Sequence, residues 1–393
     1  MVVTMNSTAE SRLQELPVLN TRLHYMDNLR ALAMLAGVFF HGALAYSPML
    51  HNVWPSADTQ QSPIVDVIVW FTHLFRMPLF FIIAGFFVAY LVQKRGMAGM
   101  LKNRALRILL PLIIFLPLCM WAVIAPLLSA VASVQVKSPV LAMVAMAMAT
   151  PGTPPPPPTT MHLWFLYNLV FFCLFTWVLH YVNWQWLRAY FNRVTPLTFL
   201  VIFPLLLVPA LLSVAAPLPA PDSFLPQLWS FGFFGLFFAL GYWVFGVDNF
   251  IERFKAYGFI LLIMSVGLYV LFYWLIPKHI SIAPPSLVFW KKLIVSSCEA
   301  YISVWMSVVC LVWGKIYLNI HNRFMRFMSD SSYWIYIIHL PLIFALQYPM
   351  MDKYWSLLAK YSATMTVTLA VGVLSYVLLV RWTPIGWMLN GRR

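Results

Sequence analysis

The chain alternates long apolar stretches with short polar ones. Runs of about twenty apolar residues are long enough to cross a bilayer as helices. They fall at 29–47, 64–92, 106–132, 162–182, 196–215, 228–246, 257–276, 293–316, 329–348 and 361–382. The second and third exceed the minimum, which predicts tilt or an interfacial end. A further run, 139–149, is too short to span and reads as an interfacial segment of a loop. The pattern therefore predicts an all-α polytopic integral membrane protein with about ten transmembrane helices. No internal repeat stands out. Pro154 to Pro158 form the one low-complexity stretch. Such a run favours a stiff polyproline II segment, either a strut over a site or a spacer.

Composition agrees with the pattern. Hydrophobic residues make up 62% of the chain and charged residues 9%, against about a quarter charged in a soluble domain. So few charges cannot cover a water-facing surface. The net charge of +14 does not indicate nucleic acid, because the basic residues sit in short loops between apolar runs and not on one polar face. Those loops set the orientation. With the N-terminus inside, 18 of the 25 Lys and Arg fall on the cytoplasmic side and 6 outside, with Arg76 inside a span. Both termini are thus expected in the cytoplasm: a tail over 1–28, a membrane domain over 29–382 and a tail over 383–393. The first two dozen residues are polar and lack the charged, apolar and small-residue pattern of a secretory signal. Cys119, Cys173, Cys298 and Cys310 lie inside apolar runs without metal-ligand spacing and read as packing residues.

Ionisable side chains inside a bilayer cost free energy unless paired or facing a cavity, so each is a candidate site residue. They are Arg30, His41, Asp66, His73, Arg76, Glu299 and His339, with His162 at a helix mouth. Arg30 and His41 are eleven residues apart, which is nearly three helical turns. They therefore share one face of the first span, about 16 Å apart along its axis, and Asp27 is placed to pair with Arg30. His41 reads either as a site group or as one partner of an interhelical hydrogen bond. His73 and Arg76 stand at i, i+3 before Pro78, which kinks the second span. Glu299 should point inward, toward Arg76 or a histidine. These three form either a site or an ion-pair network that holds helices together. On the cytoplasmic side, Lys94, Arg95, Lys102, Arg104 and Arg107 crowd one short loop and the base of the third span. Arg104 and Arg107 share a face and can clamp phosphates, or the group serves as topology signal and headgroup contact.

Several segments also resemble a known family. "MDNLRALAMLAGVFFHGALAYS" is similar to the R-x10-H signature of the acyltransferase-3 family of membrane acyltransferases. "THLFRMPLFFIIAGFF" resembles that family's next helix, and "NRALRILLP" its cytoplasmic R-x-x-R motif. "HLWFL" at 162–166 and "SSYWIYIIHLPLIF" at 331–344 complete the set in order. The combination is most similar to the branch that modifies osmoregulated periplasmic glucans with succinyl groups. His339 is followed by Leu340 and Pro341, where that branch can show a second histidine, so paired histidines at that point in the sequence are not expected.

The resemblance implies an O-acyltransferase of the bacterial inner membrane. Its co-substrate is acyl-CoA, no cofactor or metal is bound permanently, and its partners are a periplasmic glycan acceptor and membrane lipids. It implies His41 and Arg30 as the essential pair, and Arg104 and Arg107 as donor-binding arginines, with Arg76 in the same donor group. His73, His162 and His339 take acceptor or supporting roles. In the expected mechanism His41 is the general base, with its tautomer set by a neighbouring polar group for which Glu299 is the candidate. Transient acylation of His41 fits the same residues. Trp54 and Trp164 either stack on sugar rings or anchor at the interface. The competing class is a proton-coupled or acyl-glycan transporter. Buried His, Arg and Glu also build relays, but inverted repeats and broken helices are not evident.

Overall fold

The computed structural model describes residues 24–391, apart from 155, 185, 187, 188, 190–192, 248 and 282–286. The N-terminal tail through residue 23, Pro155 of the proline run, Arg188 and the final two arginines lie outside the described residues. Twelve α-helices occur among the described residues. They are α1 (His24–Ala43), α2 (Pro63–Arg104), α3 (Leu110–Ser133), α4 (Pro139–Ala149), α5 (Trp164–Leu179) and α6 (Pro196–Leu212), followed by α7 (Leu228–Val244), α8 (Gly258–Leu275), α9 (Phe289–Tyr317), α10 (Arg323–Gln347), α11 (Leu357–Ser375) and α12 (Pro384–Asn390). No strand occurs among the described residues; one isolated bridge joins Thr159 to Ser223.

Local chemistry sets many of the helix starts. Pro63, Pro139, Pro196 and Pro384 occupy first-turn positions, where the missing N–H costs nothing. Ser62, Ser138, Thr195, Asn322 and Ser356 each accept a hydrogen bond from a backbone N–H of the first turn that follows.

Among the described residues, six helical runs are long and apolar enough to cross a membrane: His24–Tyr46, Pro63–Ser133, Met161–Leu179, Ile251–Leu275, Phe289–Tyr317 and Leu357–Val380. They hold seven of the ten segments expected from the sequence. The other three fall on α6 and α7, of 17 residues each, and on α10, whose first half is polar. The short run 139–149 forms α4, an 11-residue helix.

One expectation needs correction. The basic segment from Lys94 to Arg107 is helical on both sides of Gly96 and not a loop. One residue, Gly96, leaves helical geometry with φ 68°, a left-handed value that favours glycine. The chain then continues through a π-helical stretch at Ala105–Leu109 into α3, so two expected spans belong to one bent helix. On the N-terminal side the described part of α1 opens at His24. At the other end, Pro384–Asn390 forms α12, and Asn390 Nδ2 donates to the Asp330 carbonyl at 2.9 Å.

Within the bundle α1 and α9 are mostly enclosed, whereas α3, α8 and α11 expose most of their apolar surface, as lipid-facing helices do. The closest approach is between α2 and α7. A Cβ added at Gly85 would collide with the Phe238 carbonyl, and one at Gly241 with the Ile82 carbonyl. Small residues let two backbones meet in this way, and packing contact replaces the hydrophobic effect that lipid cannot supply. A layer of aromatic rings, including Phe81, Phe165, Phe172 and Phe234, fills the space beside that crossing.

Candidate active site

Helix α1 carries one cluster of polar groups near each end. At the His24 end, Arg30 pairs with Asp27 at 3.4 Å and donates to Ser329 Oγ of α10 at 3.3 Å. Arg104 and Arg107 lie within electrostatic reach of Arg30 and of each other. Arg107 donates to the Asn390 carbonyl of α12 at 3.0 Å, and its own carbonyl accepts from Tyr333 Oη at 2.8 Å. The Nε of Arg104 is buried without a partner. Three guanidinium groups thus lie near one another, with the Asp27 carboxylate beside Arg30 alone, an arrangement suited to a multiply charged anion.

At the other end of α1, His41 Nδ1 lies 2.7 Å from His339 Nε2 of α10, with the two rings nearly parallel. His339 Nδ1 in turn lies 2.6 Å from the Tyr336 carbonyl. A carbonyl oxygen only accepts, so His339 carries its proton on Nδ1. A neutral His339 then presents a bare Nε2, and His41 must donate from Nδ1. This assignment follows from the partners, and it leaves His41 Nε2 with a free lone pair. The expected orienting group, Glu299, does not make this contact. Glu299 does point inward, with 1% of its surface exposed, but its Oε1 accepts from the backbone N–H of Leu218 at 2.8 Å. His73 Nε2 donates to the carbonyl of the same Leu218 at 2.9 Å. Glu299 and His73 therefore grip one residue of the 213–227 loop and do not form an ion pair with Arg76.

His162, expected at a helix mouth, lies in the Met161–Leu163 turn just before α5 and is buried. Its Nε2 donates to the Ile337 carbonyl at 2.9 Å, and its carbonyl accepts from Tyr336 Oη at 2.6 Å. These two bonds latch the Met161–Leu163 turn to α10 and set the His162 ring edge-on to His339, with centroids 5.1 Å apart. The Nδ1 atoms of His162 and His73 have no partner. Among the described residues no three His, Cys, Asp or Glu side chains converge to hold a metal ion.

Arg76 sits with the histidines and apart from Arg104 and Arg107. Its guanidinium lies over the Phe40 ring at 4.3 Å and presses on Gly37 of α1. Along the chain it precedes Gly96 by about 30 Å of helix, whereas Arg104 follows that bend by about 12 Å. Trp54, from the loop after α1, lies parallel to His41 at 6.2 Å and against Phe344 at 5.3 Å. His41 and Trp54 are both half-buried. Trp164, read from the sequence either as a sugar platform or as an interfacial anchor, is buried against Phe81 and Phe234.

Other parts of the site have little sequence signature. Gln347, two turns beyond His339, donates to the Gly42 carbonyl at 2.8 Å and accepts from Ser56 Oγ at 2.6 Å. Lys360 Nζ reaches Asp58 Oδ2 at 2.7 Å, with both side chains buried. Each bond fixes the loop at 47–62 or the end of α1 against α10 and α11. The i, i+3 spacing of Tyr336 and His339 was a usable signal for the tautomer relay. Nothing local marked Gln347 or Asp58. A cavity of about 750 Å³ lies elsewhere, between α5 and α7, and is lined mainly by apolar side chains such as Phe172, Phe231 and Trp243.

With this geometry established, comparison with known proteins adds a family. A model described as "Acyltransferase domain", for the acyltransferase-3 family, matches residues 23–380. Glucans biosynthesis protein C of Shigella dysenteriae is 33% identical over 102 residues, 26% of each chain. The protein of the same name from Escherichia coli K12 is 32% identical over an equal stretch. The alignment thus spans about a quarter of the length of these curated relatives. No solved structure matches the chain.

Proposed function

Because the chain belongs to the acyltransferase-3 family across residues 23–380, we propose that it is a membrane O-acyltransferase acting on a glycan. It moves an acyl group, succinyl or acetyl, from cytoplasmic acyl-CoA to a hydroxyl of an extracytoplasmic acceptor. The names of the similar proteins point to a glucan, and the motif resemblance to one in the periplasm. In this reading the chain crosses the bacterial inner membrane ten times with both termini inside, following the Lys and Arg bias.

The observation that carries the proposal is the bare Nε2 of His41. Tyr336, His339 and His41 form a relay that fixes which nitrogen of His41 can take a proton. A sugar hydroxyl is a poor nucleophile until it loses its proton, and a neutral imidazole held in one tautomer serves as the base. Eleven residues below, Arg30 with Arg104 and Arg107 receives the phosphates of the donor. The separation of about 16 Å along α1 is bridged by an extended pantetheine arm, which brings the thioester up to the imidazole. The unpartnered Nδ1 atoms of His73 and His162 are acceptors suited to further hydroxyls of a sugar ring.

The test is turnover by the purified protein of a labelled acyl-CoA with a glucan acceptor, joined to mass spectrometry of cell-envelope glycans with and without the protein. Transfer in detergent and loss of an acyl group from the glycans are the expected results. Absence of both would end the acyltransferase reading.

A further inference from the structure

We propose that Arg76 is a catalytic residue which holds the negative charge that develops on the acyl carbonyl oxygen during transfer. This inference rests on the acyltransferase reading above. Arg76 is 8% exposed, and its guanidinium keeps its charge in a protein. Among the described residues it has no carboxylate and no hydrogen-bond partner, and its Nε is orphaned. The buried acids of neighbouring elements are already engaged: Glu299 by the Leu218 N–H, and Asp66 by Ser47 Oγ and the Met49 N–H. An unpaired cation inside a membrane protein costs several kcal/mol, a cost that an anionic ligand would offset.

Helix geometry says where that ligand sits. A Cβ at Gly37 would come within 2.9 Å of Arg76 Nη1, so the guanidinium lies at the level of Gly37. Residues 37 and 41 are i and i+4, on one face and about 6 Å apart along the axis. Phe40, whose ring the guanidinium covers, is the residue just before His41. Arg30 lies about 10 Å further down the helix from Gly37, too far for one anion to reach both it and Arg76. The position suits the reacting carbonyl and not the donor phosphates.

The step balances as follows. The acceptor hydroxyl oxygen attacks the thioester carbon and forms the new C–O bond, and its proton passes to His41 Nε2. The carbonyl π pair moves onto oxygen, and that charge faces Arg76. Collapse restores the carbonyl, breaks the C–S bond and expels the CoA thiolate, which takes the proton from His41. In a site of low dielectric a preorganised cation favours the charged intermediate over the neutral ground state.

The experiment compares wild type, Arg76→Gln, Arg76→Lys and Gly37→Ala as full chains in phospholipid nanodiscs. The readouts are kcat and KM with labelled acyl-CoA and a glucan, and calorimetric affinity for CoA alone. Arg76→Gln should lower kcat about 100- to 1,000-fold with CoA affinity unchanged, and Arg76→Lys should recover part of the loss. Gly37→Ala keeps every charge but displaces the guanidinium, and it should also lower kcat. Unchanged kcat with weakened CoA binding in Arg76→Gln would make Arg76 a phosphate clamp and overturn the proposal. If Arg76→Gln fails to fold, a wild-type kcat in Gly37→Ala overturns it. Wild-type protein that transfers nothing would remove the acyltransferase reading and this inference together, whereas an active wild type with an equally active Arg76→Gln removes this inference alone.

Discussion

His41 shows how much one hydrogen bond can decide at the scale of a residue. A free imidazole exchanges tautomers, and half of them present the wrong nitrogen to a substrate. The His339 contact at 2.7 Å, itself fixed by the Tyr336 carbonyl, removes that ambiguity. Replacing His41 by Ala should abolish transfer while CoA binding survives. His339→Leu keeps the base but frees its tautomer, and should lower kcat on the order of 100-fold with little change in KM. Equal kcat for wild type and His339→Leu, measured with labelled donor, would show that the relay has no role in turnover. Arg104→Ala with Arg107→Ala should weaken CoA binding measured by calorimetry, and unchanged affinity would leave those arginines as orientation signals. Arg30 and His41 were legible in the sequence because helical periodicity alone puts them on one face. The partner of His41 was not, because His339 is 298 positions away and only packing of α1 against α10 brings it near.

At the scale of elements, polar contacts at the His41 end tie the loops to the helices. Asp58 and Lys360 are both buried, and removing one partner leaves a buried charge unpaired. Asp58→Asn should therefore cost about 3 kcal/mol or more, seen as a lower midpoint of thermal unfolding in detergent; an unchanged midpoint would show that the pair is wetter than its geometry indicates. The α2–α7 crossing depends on Gly85 and Gly241, whose missing Cβ atoms let backbone meet backbone. Gly241→Leu should push these helices apart and reduce the yield of folded protein on size-exclusion chromatography. The second effect acts on activity by moving α2, and with it His73 and Arg76, whereas the first acts through the 47–62 loop that carries Trp54 beside His41. Sequence periodicity located both helices but not their contact, because glycine in an apolar run is read as easily for flexibility as for close approach.

At the scale of the whole molecule, the loops beyond the helices are joined in a way that depends on pH. Asp352 accepts from the backbone N–H groups of Gln135 and Val136 at 2.9 and 3.0 Å. These bonds hold its carboxyl below the usual carboxylate range. A depressed acid contributes stability that is present above its unfolded value, about 3.9, and is lost as pH falls through the lower folded value. Wild type should therefore unfold at a higher temperature than Asp352→Asn at neutral pH, with the gap closing below about pH 4. The gap is small, since Asp352 is only half-buried and solvent screens its charge. A gap that persists at pH 2 would assign the effect to side-chain shape and not to charge.

The sequence by itself determined that the chain is helical and apolar enough for a membrane, and that Arg30 and His41 share a face. Those properties follow from composition and from 3.6 residues per turn, which need no tertiary information. Tertiary structure alone decided that α2 bends at Gly96 into a second arm and that Glu299 holds a loop and not a histidine. It also decided that His41 donates to His339 and that Arg76 stays unpaired beside them. Each of these depends on which helix lies against which. That choice is made by packing between residues far apart in the chain, where local pattern carries no record of the partner.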